Sequence, residues 1–226
     1  MWGGSAGHGP ADPPHDRVRR VSTSSTGEGL GSRPVITQLQ TERLELRTVH
    51  PDDVDRMLEY RSHPDVTRWL LSTEVDPAAF RQAWAGVADD PDDASVAVLL
   101  DDHLVGTVSL DLVDGMGQPG MPRRTQGQLG YVFDPAYAGH GYATEAVAAL
   151  VTHAVDTLGV RRVRAGCFAD NLASVRVLEK VGFRREEYGV ADSWHAELGW
   201  LDGCSYALLA SGWIRPAGAV VTTRDR

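Results

Sequence analysis

The chain reads as a mixed α/β domain, and three features carry that reading. An apolar strand at residues 126–133 leads through a glycine-rich turn into an alanine-rich helical stretch at 141–158, and a second strand follows at 161–168. That is a strand–helix–strand unit, and such a crossover places its two strands side by side and parallel. Upstream, apolar runs at 95–100 and 104–113 flank Asp101-Asp102-His103 and read as an antiparallel hairpin. Downstream, helix and strand periods alternate again to about residue 209.

The elements follow in order. Residues 1–34 are rich in Gly, Pro, Ser and Thr. They carry too little apolar surface to repay the entropy of ordering, so a disordered tail is expected there. A single folded domain spans 35–215, and residues 216–226 are expected to fray. Residues 43–48 alternate apolar and polar, as a half-buried strand does. Pro51 suits the first helical position, and Asp52 and Asp53 suit the positive end of a helix dipole. Val54, Met57, Leu58 and Arg61 continue at helical spacing. A second helix starts near Asp76-Pro77 and carries Phe80, Ala83, Trp84 and Val87 on one face. Between these helices, Trp69-Leu70-Leu71 either lines a site or joins the core. The loop 114–125 holds three glycines and two prolines and reads as mobile. In the long helix Ala146, Leu150, Val151, Ala154, Val155 and Leu158 face a core, and Gly159 closes it. A short helix at 171–180 is stopped by Gly182, and the last strands are expected at 183–188 and 205–209.

Bulk properties narrow the class. No apolar run approaches the ~20 residues that span a bilayer, and the N-terminus has no apolar leader core. Cys167 and Cys204 are the only cysteines, too few for a disulfide framework, which fits a reduced cytoplasm. Cys167 is either a nucleophile or a small apolar strand residue. The net charge is −9; the first 34 residues contribute +1 and the remainder −10. That balance argues against nucleic acid as a partner and suits a cationic acceptor or simple solubility. No histidine or cysteine spacing implies a metal.

The central feature is Ala138-Gly139-His140-Gly141-Tyr142-Ala143-Thr144, between strand and helix. Glycines permit close backbone approach, and a helix start offers unpaired N–H groups to phosphates. Two nucleotide motifs fail: Thr144 stands where G-x-G-x-x-G needs its third glycine, and no Gly-Lys-Ser/Thr follows. The turn instead resembles the Gln/Arg-x-x-Gly-x-Gly/Ala motif of the GNAT superfamily of acyl-CoA-dependent N-acyltransferases. Gly141 and Ala143 match, and Ala138 replaces the usual Gln or Arg. Residues 171–183, an Asn-x-x-Ser helix ending in Lys-x-Gly-Phe, and Thr41-Glu42-Arg43-Leu44-Glu45-Leu46-Arg47 are similar to two further family motifs. The second resembles the subgroup that acetylates ribosomal-protein N-termini.

The resemblance runs from about Thr41 to Trp213 and implies a mixed, mostly antiparallel sheet flanked by helices. One parallel strand pair splays apart at a bulge and admits the pantetheine arm. It implies acetyl-CoA or another acyl-CoA, including succinyl-CoA, as donor. The acceptor is then a small amine or a protein N-terminus, and the protein a monomer or homodimer. Backbone groups of residues 139–144, with Ala138 beside them, would hold the pyrophosphate. Tyr131, Val132 and Phe133 would pair with the pantetheine amides, and an N–H near Tyr131 or Val132 would polarise the carbonyl. Asn171 would contact the arm, or serve as a helix N-cap. Ser174 would protonate the departing thiolate, or be an ordinary exposed helix serine.

The general base is not apparent. Gln128 stands where relatives often carry Glu, and an amide cannot take a proton. His195, Asp134, Glu145 and His50 are substitutes. Each has a plainer role: surface histidine for His195, turn residue for Asp134, dipole partner for Glu145. A missing carboxylate favours an acceptor of low pKa, such as an α-amine near 8 rather than a lysine near 10.4. For a succinyl donor, Arg123 or Arg124 would face the extra carboxylate. Two other classes stand beside these readings: a non-catalytic acyl-CoA-binding module, and a nucleotide-binding protein using the same turn.

Overall fold

The computed structural model describes residues 38–216 and 222–223. The expected tail at 1–34 lies outside them. Nine strands form one sheet: β1 (Leu39–Gln40), β2 (Glu45–Thr48), β3 (Val96–Leu100), β4 (His103–Val113), β5 (Gln126–Phe133), β6 (Arg162–Phe168), β7 (Arg184–His195), β8 (Gly199–Leu209) and β9 (Thr222–Thr223). Their spatial order is β7-β8-β6-β5-β4-β3-β2-β1-β9. Every neighbouring pair is antiparallel except β5–β6. The helices are α1 (Val54–Arg61), α2 (Pro64–Thr67), α3 (Pro77–Ala85), α4 (Tyr142–Asp156) and α5 (Leu172–Val181).

Local sequence sets most boundaries. Asp101 and Asp102 both take positive φ (48° and 64°), the geometry of a two-residue turn whose twist suits a hairpin. Pro51 opens a single 3-10 turn that runs into α1, with His50 and Asp53 forming a reciprocal capping box. Asp76 caps α3 through the Ala78 N–H, with Pro77 at the first position. Gly182 ends α5 at φ 105°. Two expectations at the C-terminal end need correction. β7 and β8 are long strands rather than short ones at 183–188 and 205–209. Two register shifts in β7 break the period-two pattern by which a strand is recognised. Thr222 and Thr223 pair with β1 rather than fraying; the other residues beyond Pro216 lie outside the described ones.

The sheet separates two cores. On one face α4 and α5 bury Ala146, Leu150, Val151 and Leu178 against Val98, Leu110, Leu129 and Tyr206. On the other, α1 and α3 bury Val54, Met57, Tyr60 and Trp84 against Ala97 and Leu99. Alternate residues of β3 thus serve opposite cores.

Helix α4 buries His153, which is 5 % exposed, and its Nε2 has no hydrogen-bond partner among the described residues. Desolvation lowers its pKa, opposed in part by Asp156. The folded protein therefore favours neutral imidazole, and this contribution to stability is present above the unfolded value of about 6.5 and lost as pH falls below it. Urea unfolding at pH 7 and pH 5 tests this: His153→Leu should lose less stability between the two pH values than wild type.

Candidate active site

The parallel ladder of β5 and β6 pairs Gln126 with Arg162, Gly127 with Val163 and Gln128 with Arg164, then stops. Beyond it the strands part. The β4–β5 register runs without a shift from residue 126 to 133, so the gap opens with no bulge on that side, contrary to expectation. A cavity of about 910 Å³ occupies the gap, lined by Tyr131, Phe133, Gly141, Cys167, Ser174 and Asp192 among others. Ladder parity shows which backbone groups face it. The Asp134 N–H donates to Val105 O, so Val132, two residues earlier, also directs its backbone toward β4. Tyr131 and Phe133 direct theirs toward the gap. Of Tyr131 and Val132, Tyr131 is therefore the residue whose N–H faces the cavity.

The glycine turn closes one end. Gly139 and Gly141 have φ of 82° and 81°, and Gly141 is the N-cap of α4. A Cβ on Gly139 would meet nothing within 4 Å, and one on Gly141 would meet only an Arg43 nitrogen at 3.6 Å. Backbone conformation, not space, requires glycine at both positions. The N–H groups of Tyr142, Ala143 and Thr144 open a fifteen-residue helix and have no intrahelical acceptor. Ala138 and Gly139 line the cavity, whereas His140 stacks on Tyr142 at 5.5 Å between centroids.

Arg43 braces this turn from outside the cavity. Its guanidinium donates to His140 O (3.0 Å) and to Glu145 (2.7 Å), and lies 4.6 Å over the Tyr142 ring. Glu145 also accepts from the Thr41 hydroxyl (2.6 Å) and the Arg43 N–H (3.0 Å). The Thr41–Arg43 segment, which precedes β2, thus fixes the start of a helix about a hundred residues later.

At the throat, Asn171 accepts from the Ser174 N–H (3.1 Å), as an N-cap does. Both residues line the cavity, and Ser174 is only 9 % exposed rather than a surface serine. The Tyr131 phenol lies 2.7 Å from Ser174 Oγ and 3.1 Å from Ser174 O. Burial raises the Tyr131 pKa well above that of a free phenol, so the group stays protonated at neutral pH. Burial likewise pushes Cys167 up to about 11, with a Ser174 hydrogen bond opposing. A neutral thiol is a poor nucleophile, which argues against Cys167 as the nucleophile of a rapid catalytic step. The phenol of Tyr131 escaped the sequence reading, which weighed only its backbone; nothing along the chain links Tyr131 to Ser174.

All four substitute bases are engaged elsewhere. Glu145 holds Arg43. Asp134 accepts from the Ala136 N–H and pairs with Arg56. His50 accepts from the Asp52 N–H. His195 is 4 % exposed rather than at the surface: Nε2 donates to Arg68 O (2.7 Å), and Nδ1 accepts from the Glu197 and Leu198 N–H groups. It packs on Trp69 and Phe168 and ties the α2 loop to the β7–β8 hairpin. In that loop Leu70 is buried while Trp69 and Leu71 line the cavity, so both expected roles occur. Arg123 pairs with Asp114 and Arg124 with Asp92, and neither lines the cavity.

Carboxylates reach the cavity from other positions: Asp65, Glu187 and Asp192. Asp192 follows Ala191 (φ 49°) within the β7 irregularity. Its carboxylate covers two glycines: a Cβ on Gly189 would lie 1.6 Å from Oδ2, and one on Gly203 2.6 Å from Oδ1. Bulges commonly re-aim a side chain in this way.

A family profile described as an acetyltransferase (GNAT) domain matches residues 43–184. The chain belongs to this family. It is also 29 % identical over 178 residues to the uncharacterized N-acetyltransferase YnaD of Bacillus subtilis, covering 77 % of this chain and 98 % of that one. Among solved structures, a GNAT acetyltransferase from Bacillus anthracis superposes with a TM-score of 0.65 at 27 % identity, covering 77 % and 99 %. Mycobacterium smegmatis RimJ, solved in complex with CoA-disulfide, shares the fold with a TM-score of 0.68 at 21 % identity, covering 81 % and 91 %. This GNAT acetyltransferase is thus an N-acetyltransferase with the family's parted strand pair.

Its brace is testable without substrate. Arg43→Ala should speed amide hydrogen exchange at residues 140–144. The pair is partly exposed, so the global unfolding free energy should change by only about 1 kcal/mol or less.

Proposed function

We propose that the protein transfers an acetyl group from acetyl-CoA directly to a primary amine, bound at the acidic side of the cavity. The observation that carries this reading is the parted strand pair, with an open helix start at one end and the Tyr131–Ser174 pair at the throat. Backbone N–H groups of residues 139–144 hold the pyrophosphate, assisted by the α4 dipole. Arg176 and Lys180 line the cavity from α5 and add positive charge for phosphates. Tyr131 and Phe133 offer backbone groups to the pantetheine amides, as an edge strand does. The Tyr131 N–H stabilises the oxyanion that forms when the amine attacks the thioester carbonyl.

Asp192 takes a proton from the incoming ammonium or from the tetrahedral intermediate. The C–S bond breaks, and Ser174 Oγ gives its proton to the departing thiolate while the Tyr131 phenol, itself still protonated, orients that hydroxyl; Ser174 regains a proton from solvent, which takes up the second proton shed by the new amide nitrogen. Asn171 fixes the helix turn that carries Ser174. The acceptor is a cationic amine, since Asp65, Glu187 and Asp192 all line the cavity. A protein N-terminal α-amine fits well because its pKa near 8 leaves less work for the base.

Thermal unfolding with CoA, acetyl-CoA, succinyl-CoA, ATP and NAD at equal concentration tests the donor. CoA species should raise the midpoint, by about 2.7 kcal/mol of stabilisation at 100 times the dissociation constant, and acetyl-CoA should exceed succinyl-CoA. A shift with ATP or NAD alone would overturn the reading. Ser174→Ala should lower kcat by about a hundredfold with CoA affinity near wild type. Asp192→Asn should lower kcat/KM for the amine and remove the acidic limb of its pH profile; an unaltered profile would exclude it as the proton acceptor.

A further inference from the structure

Strands β6 and β8 place the chain's two cysteines directly opposite each other: Cys167 is in register with Cys204. Hydrogen bonds at both ends of the ladder fix their kind of pairing. The Ala169 N–H donates to Asp202 O and the Ala210 N–H to Arg161 O, so odd-numbered β6 residues form the hydrogen-bonded pairs. Directly opposed residues of that kind have Cα atoms about 5.5 Å apart and side chains on one face of the sheet. Disulfides form at Cα separations of about 4.4–6.8 Å but need Cβ atoms about 3.5–4.5 Å apart, closer than the ~5.5 Å of a hydrogen-bonded pair, so a bridge here draws the two strands together and is strained and readily reduced. Both thiols are free, and both line the cavity. Around them stand Ser174, Tyr131 and Tyr206 beside Cys167, and Arg185, Asp192, Asp202 and Tyr206 beside Cys204.

We propose that Cys167 and Cys204 are a modification site: a dithiol that a hydroperoxide converts to a cross-strand disulfide on the wall of the donor channel, closing that channel. Cys167 lines the cavity and is the less buried of the two, so it reacts first. Its sulfur attacks the peroxide O–O bond, which releases an alcohol (water, from hydrogen peroxide) and leaves a sulfenic acid. The Cys204 sulfur then attacks the Cys167 sulfur and displaces water. Two thiols lose two electrons and two protons, and one hydroperoxide is reduced. Burial disfavours both thiolates, so the dithiol persists through ordinary turnover and yields only to sustained oxidant. Bridging removes the Cys167 thiol from its hydrogen bond with Ser174 and pulls two cavity-lining side chains together. Loss of acyl transfer on bridging rests on the donor site proposed above; formation of the bridge does not.

Intact mass spectrometry of the full-length reduced protein after hydrogen peroxide tests the site. The mass should fall by about 2 Da, and thiols titratable after denaturation should drop from two to none. A single linked peptide pair should contain residues 167 and 204. Acetyl transfer should fall at least about tenfold and return with dithiothreitol. In Cys204→Ser the 2 Da loss should vanish, and one oxygen, about 16 Da, should be gained at Cys167 instead. Two surviving thiols, oxygen adducts alone in wild type, or a disulfide-linked dimer would overturn the proposal. Saturating acetyl-CoA should slow bridging, because the donor's sulfur would lie beside Ser174. If the 2 Da loss occurs at the same rate with and without acetyl-CoA, the bridge stands and the donor assignment fails.

Discussion

Everything in this molecule depends on the divergence of two strands after three paired residues. A parallel pair would ordinarily continue as far as both strands allow, since each further pair satisfies backbone donors and acceptors. Here β5 runs on for five residues past Gln128 and β6 for four past Arg164, yet they do not meet. Two different pairing partners hold them apart. Strand β5 stays in register with β4 along its whole length, while β6 stays in register with β8 along its own. The sheet is therefore two antiparallel blocks joined by a short parallel seam. The cavity is the wedge where the blocks turn away from each other.

A wedge alone would not select a ligand. Its selectivity comes from the helix that crosses between the two blocks. Because β5 and β6 are parallel, the chain must return through a crossover, and α4 is that crossover. Its N-terminus therefore lies at the carboxyl end of β5, beside the mouth of the wedge, in the position where open α/β sheets place anionic ligands. Fifteen helical residues direct their dipole there. The left-handed Gly139 and Gly141 turn the chain sharply enough to bare the first N–H groups, and Arg43 and Glu145 hold that turn against the first strands of the domain. The turn is thus held by a distant ion pair as well as by the local His140–Tyr142 stack.

Much of this was legible along the chain, and the illegible parts share a cause. Strand β5, helix α4, helix α5 and the caps Asp76, Asn171 and Gly182 follow from local periodicity and capping chemistry, which depend on neighbours within a few residues. The brace was visible only as the Thr41–Arg47 motif, because Arg43 and Glu145 are about a hundred residues apart. The Tyr131–Ser174 contact joins a strand to a helix three elements later, and no spacing encodes it. Asp192 was hidden in a different way. It sits in an irregularity that breaks strand alternation, and the break that obscures the strand also turns the carboxylate inward. His195 was misplaced for the opposite reason: a polar residue near a hairpin end suggests exposure, yet three hydrogen bonds and two aromatic contacts repay its burial.

The two ends of the wedge also differ in how they treat protons. At the throat Ser174 is buried with Tyr131 and Cys167 partly buried beside it, and desolvation keeps the phenol and the thiol neutral. A thiolate released there would be the least stable species in its surroundings, and a chain of hydroxyls 2.7 Å apart is positioned to neutralise it. Elsewhere on the cavity wall the carboxylates of Asp65, Glu187 and Asp192 are solvent-exposed. Water there would let the proposed acceptor arrive as an ammonium and pass its proton to a carboxylate. On the proposed reading, a uniformly dry cavity would exclude a cationic acceptor, and a uniformly wet one would weaken an oxyanion interaction at Tyr131. Parting two rigid antiparallel blocks yields both environments in one channel, dry where the blocks join and wet where they open.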